Sequence, residues 1–186
     1  TWSYWRTEMR SNRYHYSTRF ARYLPVLFVQ PDLQEKSYRF ESTEVENIVI
    51  LHVSCEYGSA QNNLLNQALT EKGIKKPLLW IYNVHFVDFI LASRAPLKIY
   101  HATEDYFTPE FMVLPGSEEI RQKLKWILAF SHLLVTVSEG VRENYIQKGK
   151  YAGELLVLEN GCDFVIISCN VLRHISGVFI FVKRSI

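Results

Sequence analysis

The sequence predicts an α/β protein of one domain, with a mostly parallel sheet flanked by helices. Two patterns point there. Several apolar runs, such as Ile48-Val49-Ile50-Leu51-His52-Val53, are short and continuous rather than alternating, which is how strands buried on both faces read. Between them lie longer segments whose apolar residues recur at helical spacing. Leu133 to Asp163 condenses both patterns into one β-α-β unit: Leu133-Leu134-Val135-Thr136-Val137, a helix opened by Ser138 and running to about Lys148, then Glu154-Leu155-Leu156-Val157-Leu158.

Taken in order, Ser17 to Leu24 has helical spacing, with Phe20, Tyr23 and Leu24 on one face, and Pro25 stops it. Val26 to Val29 is a short buried strand, and Pro31-Asp32 reads as the turn that ends it. Residues 32–46 carry Glu35, Glu41, Glu44 and Glu46 and read as a solvated loop. The β-branched run Ile48 to Val53 is the next strand. Ser59 to Lys72 makes a helix with Leu64, Leu65, Ala68 and Leu69 on one face and Gly73 at the stop position. Pro77 to Tyr82 is a strand, Phe86 to Ser93 a short helix, and Leu97 to His101 a strand. Pro115-Gly116 turns into a helix with Ser117 as its expected N-cap and Glu118 and Glu119 in the first turn, where the helix dipole favours them. Leu124, Ile127, Leu128 and Phe130 supply its buried face, and Trp126 reads as a packing residue.

A chain of 186 residues, 48% hydrophobic and 22% charged, can bury a sizeable core and is not of disordered composition. Its net charge of +2 does not by itself call for a polyanionic partner. Residues 1–25 nevertheless hold five arginines against one glutamate, interleaved with Trp2, Tyr4, Trp5, Tyr14 and Tyr16. Such a surface can stack on single-stranded bases, but packing is the better reading and no nucleic acid is expected. Cys55, Cys162 and Cys169 lack Cys-x-x-Cys or metal-ligand spacing, which suits a reducing, cytoplasmic compartment. No metal is expected, because no histidine and carboxylate cluster has ligand spacing, and no dinucleotide cofactor, because no Gly-x-Gly-x-x-Gly follows any expected strand. The apolar runs between Val165 and Ile186 are too short and interrupted to span a bilayer.

In open α/β sheets ligands bind beyond the carboxyl ends of the strands, and that rule selects the candidate residues. Asn83 and His85 follow one strand, and His85 is suited to hydrogen-bond a hydroxyl or a phosphate. Glu104 and Asp105 follow the next, where a carboxylate can accept a bond from a hydroxyl or take its proton. Ser138 follows the third, as a helix N-cap or an anion contact. The loop holding Asn160 and Gly161 follows the fourth.

Val135-Thr136-Val137-Ser138-Glu139, followed by Leu158-Glu159-Asn160-Gly161-Cys162-Asp163, resembles the end of the amino-terminal domain of glycosyltransferases of the two-domain GT-B fold, in their group 1, family-four-like branch. Arg13-Tyr14-His15, Ala21-Arg22-Tyr23-Leu24 with Val26 to Val29, Leu79 to Asn83, and Ile99 to Tyr106 are similar to earlier parts of that domain, so the resemblance covers about residues 13–164. Tyr14 and Val84 stand where the family often has proline. The resemblance implies a Rossmann-like acceptor-side domain over residues 1–164, half of a GT-B architecture, with 165–186 an unmatched apolar tail. It implies sugar transfer from a nucleotide-sugar to a hydroxyl acceptor in envelope or polysaccharide glycan synthesis. Asp105 and His85 would be the catalytic candidates, with Arg13, Asn83, Glu104, Ser138, Asn160 and Gly161 binding substrate. The donor would bind a second domain that this reading finds missing, making the chain a truncated and inactive piece. The place implied is the cytoplasm, at the inner face of the membrane with peripheral association. The alternative is a non-catalytic remnant or a glycan- or partner-binding module.

Overall fold

A computed structural model describes residues 4–6 and 12–159. Asn160 and Gly161, Cys162 and Cys169, and the tail from Val165 lie outside the described residues. The chain divides between Leu78 and Leu79 into two compact units.

The first unit begins with α1 (Asn12–Phe20), continues through β1 (Val26–Leu33), β2 (Tyr38–Ser42) and β3 (Ile48–Ser54), and includes α2 (Ser59–Glu71). Its sheet has the order β1-β3-β2, with β1 parallel and β2 antiparallel to β3. Ile50, Leu51 and Val53 of the central strand are at most 1% exposed, which makes β3 the hydrophobic axis of the unit. The helix α2 packs on β3 through buried Leu65 and Ala68 and ends as the sequence implies. Gly73 takes a φ of 68°, and the Ile74 N–H returns to the Leu69 carbonyl.

Three sequence expectations are corrected in this unit. The first helix is Asn12–Phe20 rather than Ser17 to Leu24. Pro25 disfavours helical backbone at Leu24, the last residues close as turns, and Tyr23 is left exposed instead of sharing a face with Phe20. The strand expected to end before Pro31 runs to Leu33; β1 is an edge strand, where a missing N–H is tolerated. Residues 32–46 are not all solvated loop, because Tyr38–Ser42 pairs with β3 from Tyr38↔Val53 to Ser42↔Val49. Alternation along β2 sends Tyr38 and Phe40 to the face that α2 covers and Arg39 and Glu41 to the other. On the α2 side, Glu71 accepts from the Tyr38 hydroxyl and the Lys72 ammonium lies over the Phe40 ring.

The second unit bears out the expected α/β class. Its sheet contains β4 (Leu78–Ile81), β5 (Leu97–Ala102), β6 (Leu133–Thr136) and β7 (Glu154–Val157) as parallel neighbours in chain order. A 3-10 turn (Val84–Phe86) and α3 (Val87–Ala92) connect β4 to β5; α4 (Pro109–Met112) and α5 (Ser117–Phe130) connect β5 to β6; α6 (Glu139–Gln147) connects β6 to β7. Ile99, Tyr100, Leu134 and Val135 are at most 1% exposed, as the continuous apolar runs require. Tyr145 of α6 is fully buried against Tyr100 of β5 and Phe107.

Two local readings change here. The N-cap of α5 is Gly116 in left-handed backbone, and Ser117 instead donates its hydroxyl to the Met112 carbonyl. Trp126 is more than half exposed and touches Phe130, also exposed, because it lies on the side of α5 away from Leu124, Ile127 and Leu128. Among the described residues no helix is long and apolar enough to cross a membrane.

Candidate functional site

The parallel sheet of the second unit brings Asn83, His85, Glu104, Asp105 and Ser138 to the carboxyl ends of β4, β5 and β6. Arg13 belongs to the first unit, half-buried on α1.

After β4, Asn83 caps the 3-10 turn: its backbone is extended and its Oδ1 accepts from the His85 N–H at 2.9 Å. That bond fixes the start of the turn carrying the imidazole. Nδ1 of His85 lies 3.1 Å from Nζ of Lys123, and the same ammonium reaches Oε1 of Glu119 at 2.5 Å. An ammonium has only donors, so Nδ1 is the acceptor and the ring proton is assigned to Nε2. Burial first, and the Lys123 charge second, hold His85 below the ordinary histidine value, while Glu119 opposes them. In the neutral ring this arrangement leaves the proton on Nε2. Lys123 carried no sequence signal beyond its i,i+4 spacing from Glu119, since only the fold brings α5 beside the turn after β4.

The lowered value has a consequence for stability. In the unfolded chain His85 takes up its proton near pH 6.5, but the folded ring resists until the pH is lower, so the unfolded state binds more protons in that window. Stability is therefore full above about pH 6.5, declines as the pH falls, and levels off below the depressed folded value. Thermal melts of wild type and His85→Gln are expected to diverge in this way, the variant lacking that part of the acid-side decline. In Lys123→Met the NMR titration of His85 is expected to move up.

After β5, Asp105 is held at both oxygens. Oδ1 accepts from the Phe107 N–H at 2.9 Å and Oδ2 from Nδ2 of Asn144 at 2.6 Å. Two further bonds tie this loop to α6: the Tyr145 hydroxyl donates to the Glu104 carbonyl at 3.1 Å, and Nζ of Lys148 to the Phe107 carbonyl at 3.1 Å. Asp105 is thus a clamp between the end of β5 and α6. The Glu104 side chain is exposed beside it, the carboxylate of the pair that faces solvent. Asn144 and Lys148 were not singled out from the sequence, because on a helix of mixed polarity nothing marks which polar residues reach a neighbouring loop.

After β6, Ser138 is the N-cap of α6: extended at φ −162°, it accepts from the Val141 N–H at 3.3 Å. Glu139 in the first turn complements the dipole and pairs with Arg142. The expected capping role of Ser138 is therefore observed, and it leaves the first turn of α6 at the strand-end rim.

Among the described residues no group of His, Cys, Asp and Glu side chains is placed to hold a metal ion. Comparison of the sequence with protein-family models and with curated proteins finds no match.

Proposed function

We propose that this chain is the acceptor-side domain of a GT-B glycosyltransferase, binding the hydroxyl-bearing acceptor to which a nucleotide-sugar donor, held by a second domain, gives its sugar. The observation that supports this most is the gathering of Asn83, His85, Glu104 and Ser138 at the carboxyl ends of adjacent parallel strands, where open α/β sheets bind ligands. In this reading the Nε2–H of His85 donates to an acceptor oxygen, the exposed Glu104 carboxylate accepts from a hydroxyl, and Asn83 and Lys123 fix the imidazole. Arg13, Asn160 and Gly161 are substrate-binding candidates by the family resemblance alone, and polysaccharide or envelope glycan synthesis is the setting it suggests. The reading needs no cofactor on this chain.

The non-catalytic alternative has an observation of its own. Both oxygens of Asp105 are engaged within the protein, which favours a structural carboxylate over a proton acceptor. A module that binds a glycan or a partner chain through the same strand ends would need no reactive carboxylate.

Binding and transfer separate the two. An array of oligosaccharides and small hydroxylated acceptors, read by NMR shifts of the Asn83, His85 and Ser138 amides, is expected to find ligands that perturb those residues together. His85→Gln is expected to weaken such binding about tenfold, as losing one well-placed polar contact does. With nucleotide-sugars added, the chain alone is expected to show negligible transfer; full transfer would overturn its assignment as the acceptor side only. If no acceptor perturbs the strand ends, the glycosyltransferase reading falls.

The same reading places the protein in the cytoplasm, attached peripherally to the inner face of the membrane. Exposed Met112, Val113 and Leu114, and Trp126 and Phe130 on α5, supply apolar contacts, and Lys125 beside them supplies charge for anionic headgroups. Co-sedimentation with anionic vesicles is expected for wild type and much reduced for Trp126→Ser with Val113→Ser. Equal sedimentation of both would remove the attachment.

A further inference from the structure

The face of the first sheet opposite α2 carries a polar set that the glycosyltransferase reading does not use, and Trp5 and Arg6 are seated on it. Register sets Gln30 of β1 and Arg39 of β2 beside His52 of β3, and alternation brings Asp32 and Glu41 to the same face. His52, its side chain only 6% exposed, stands between the two carboxylates: Nδ1 lies 2.8 Å from Oδ2 of Asp32, and Nε2 lies 3.0 Å from Oε2 of Glu41. Asp32 also accepts from Nε2 of Gln30 at 2.6 Å. A carboxylate accepts only, so this bond turns the buried Gln30 carboxamide with its oxygen toward Trp5.

Three contacts seat the dipeptide, and each meets a different part of it. The backbone N–H of Trp5 donates to Oε1 of Gln30 at 2.9 Å in buried surroundings. The Trp5 ring, itself buried, meets Phe28 of β1 edge-on at 5.3 Å and lies 4.8 Å from the Tyr14 ring of α1. Nε and Nη2 of Arg6 both donate to Oε1 of Glu41 at 2.6 Å. Arg39 meets Glu41 through the other oxygen, Oε2, at 3.4 Å and leaves Oε1 to the guanidinium. The Arg6 side chain is more than half exposed, so its ion pair is a wet rim contact that adds little affinity. Attachment rests on the buried ring and the buried N–H bond, and the rim pair supplies selectivity: two donors of a planar fork on one oxygen are a geometry that an ammonium does not reproduce.

We propose that this face is a recognition site for a protein segment bearing an aromatic residue followed by arginine, and that Trp5 and Arg6 are its tethered occupant. The seat is built like a protein–protein anchor, with a buried aromatic ring bordered by polar contacts. It is also preorganised, because Asp32 orients Gln30 and His52 orients Glu41. Trp5 and Arg6 lie in a turn and belong to no strand or helix. What the sheet reads is one backbone N–H, one aromatic ring and one guanidinium, all of which a segment of another chain carries equally well.

The tether decides when such a segment gains access. A short flexible connection presents its own ligand at an effective concentration in the millimolar range. The chain's own dipeptide therefore excludes weak competitors and yields to a partner whose segment, or whose further contacts, bind more tightly than that. This site lies wholly within the first unit and does not depend on the strand-end residues of the second.

The dipeptide acetyl-Trp-Arg-amide, added to the full chain and followed by NMR, tests the proposal. In the variant Trp5→Ser with Arg6→Ser, which empties the seat, millimolar peptide is expected to shift the Gln30 side-chain amide and the Glu41 and His52 backbone amides together. Wild type is expected to need about tenfold more peptide, because its own segment must first leave. Methylating the Trp nitrogen of the peptide is expected to weaken binding to the variant about tenfold, and replacing its Arg by Lys about threefold. Amide protection of core Ile50 certifies the fold of the variant. If the variant does not fold, wild type carries the test: peptide at tens of millimolar is expected to speed exchange of the Trp5 N–H severalfold while Ile50 stays level. No shift at Gln30 and Glu41 in the folded variant, equal affinity for variant and wild type, an affinity indifferent to either change in the peptide, or Trp5 exchange in wild type that ignores the peptide would each overturn the proposal.

Discussion

Tyr145→Ala is expected to cost about 3–5 kcal/mol, a large part of the 5–15 kcal/mol that holds a typical domain together. The ring is fully buried, packs edge-on to Phe107 at 5.1 Å and lies 6.3 Å from Tyr100. Its removal leaves a cavity between α6 and β5, and also releases the Glu104 carbonyl that its hydroxyl satisfies. Tyr145→Phe separates the two effects: the ring stays, and only about 1 kcal/mol for the hydroxyl bond is expected to go. Burial holds both the Tyr145 and the Tyr100 phenols well above the ordinary range, so neither ionises as pH rises moderately. Chemical unfolding of the three proteins, followed by circular dichroism, measures the series. Equal losses for Ala and Phe would mean that the hydroxyl, and not the packing, dominates.

Gly149→Ala is the second large effect, expected at about 3 kcal/mol, the upper part of the range for forcing atoms into a packed site. A Cβ there would lie 2.5 Å from the Tyr145 carbonyl oxygen and 2.9 Å from Cζ of Phe107. The nearer atom is backbone and already accepts from the Tyr151 N–H, so it cannot yield without breaking the turn that ends α6. Conformation is not the reason for this glycine: the left-handed residue of the turn is Lys150, with φ 56°. Lys150→Gly is accordingly expected to be tolerated where Gly149→Ala is not. Because the Phe107 ring touches both Gly149 and the Tyr145 ring, and can shift into the space that Tyr145→Ala opens, the double variant is expected to cost less than the sum of the two singles. Full additivity in the unfolding free energies would refute the shared contact.

These sites mark the boundary of what the sequence discloses. The runs at Ile48 and Leu133 announce buried strands because nothing else keeps so many branched apolar residues together, and the polar residues that end β4, β5 and β6 follow from the strand positions. The strand Tyr38–Ser42 went unread because its acidic neighbours outweigh a five-residue alternation, although Tyr-Arg-Phe-Glu-Ser carries the period of two. His52 reads in sequence as one more strand residue, because its partners Asp32 and Glu41 are brought to it only by strand pairing. Lys123 and Asn144 were invisible for the same reason, and Asp105, legible as a strand-end carboxylate, proved to have both oxygens committed inside the protein.

The mixed pairing of the first sheet also bears on the order in which it assembles. β2 and β3 are joined by residues 43–47, and Ser42 meets Val49 almost as soon as both exist. Every parallel pairing waits for a longer excursion, from Val26 to Ile48, from Ile99 to Leu133, and from Leu133 to Glu154. Closing a longer loop costs more chain entropy before any contact repays it, so the β2-β3 hairpin is the natural nucleus and the parallel ladders form upon it or later. Asn47, left-handed at φ 65° and bonded to the Ala21 carbonyl, sits in that closing turn. The short strand hardest to see in the sequence is thereby placed at the start of the folding reaction, and substitutions in its turn should register in the refolding rate before they register in the rate of unfolding.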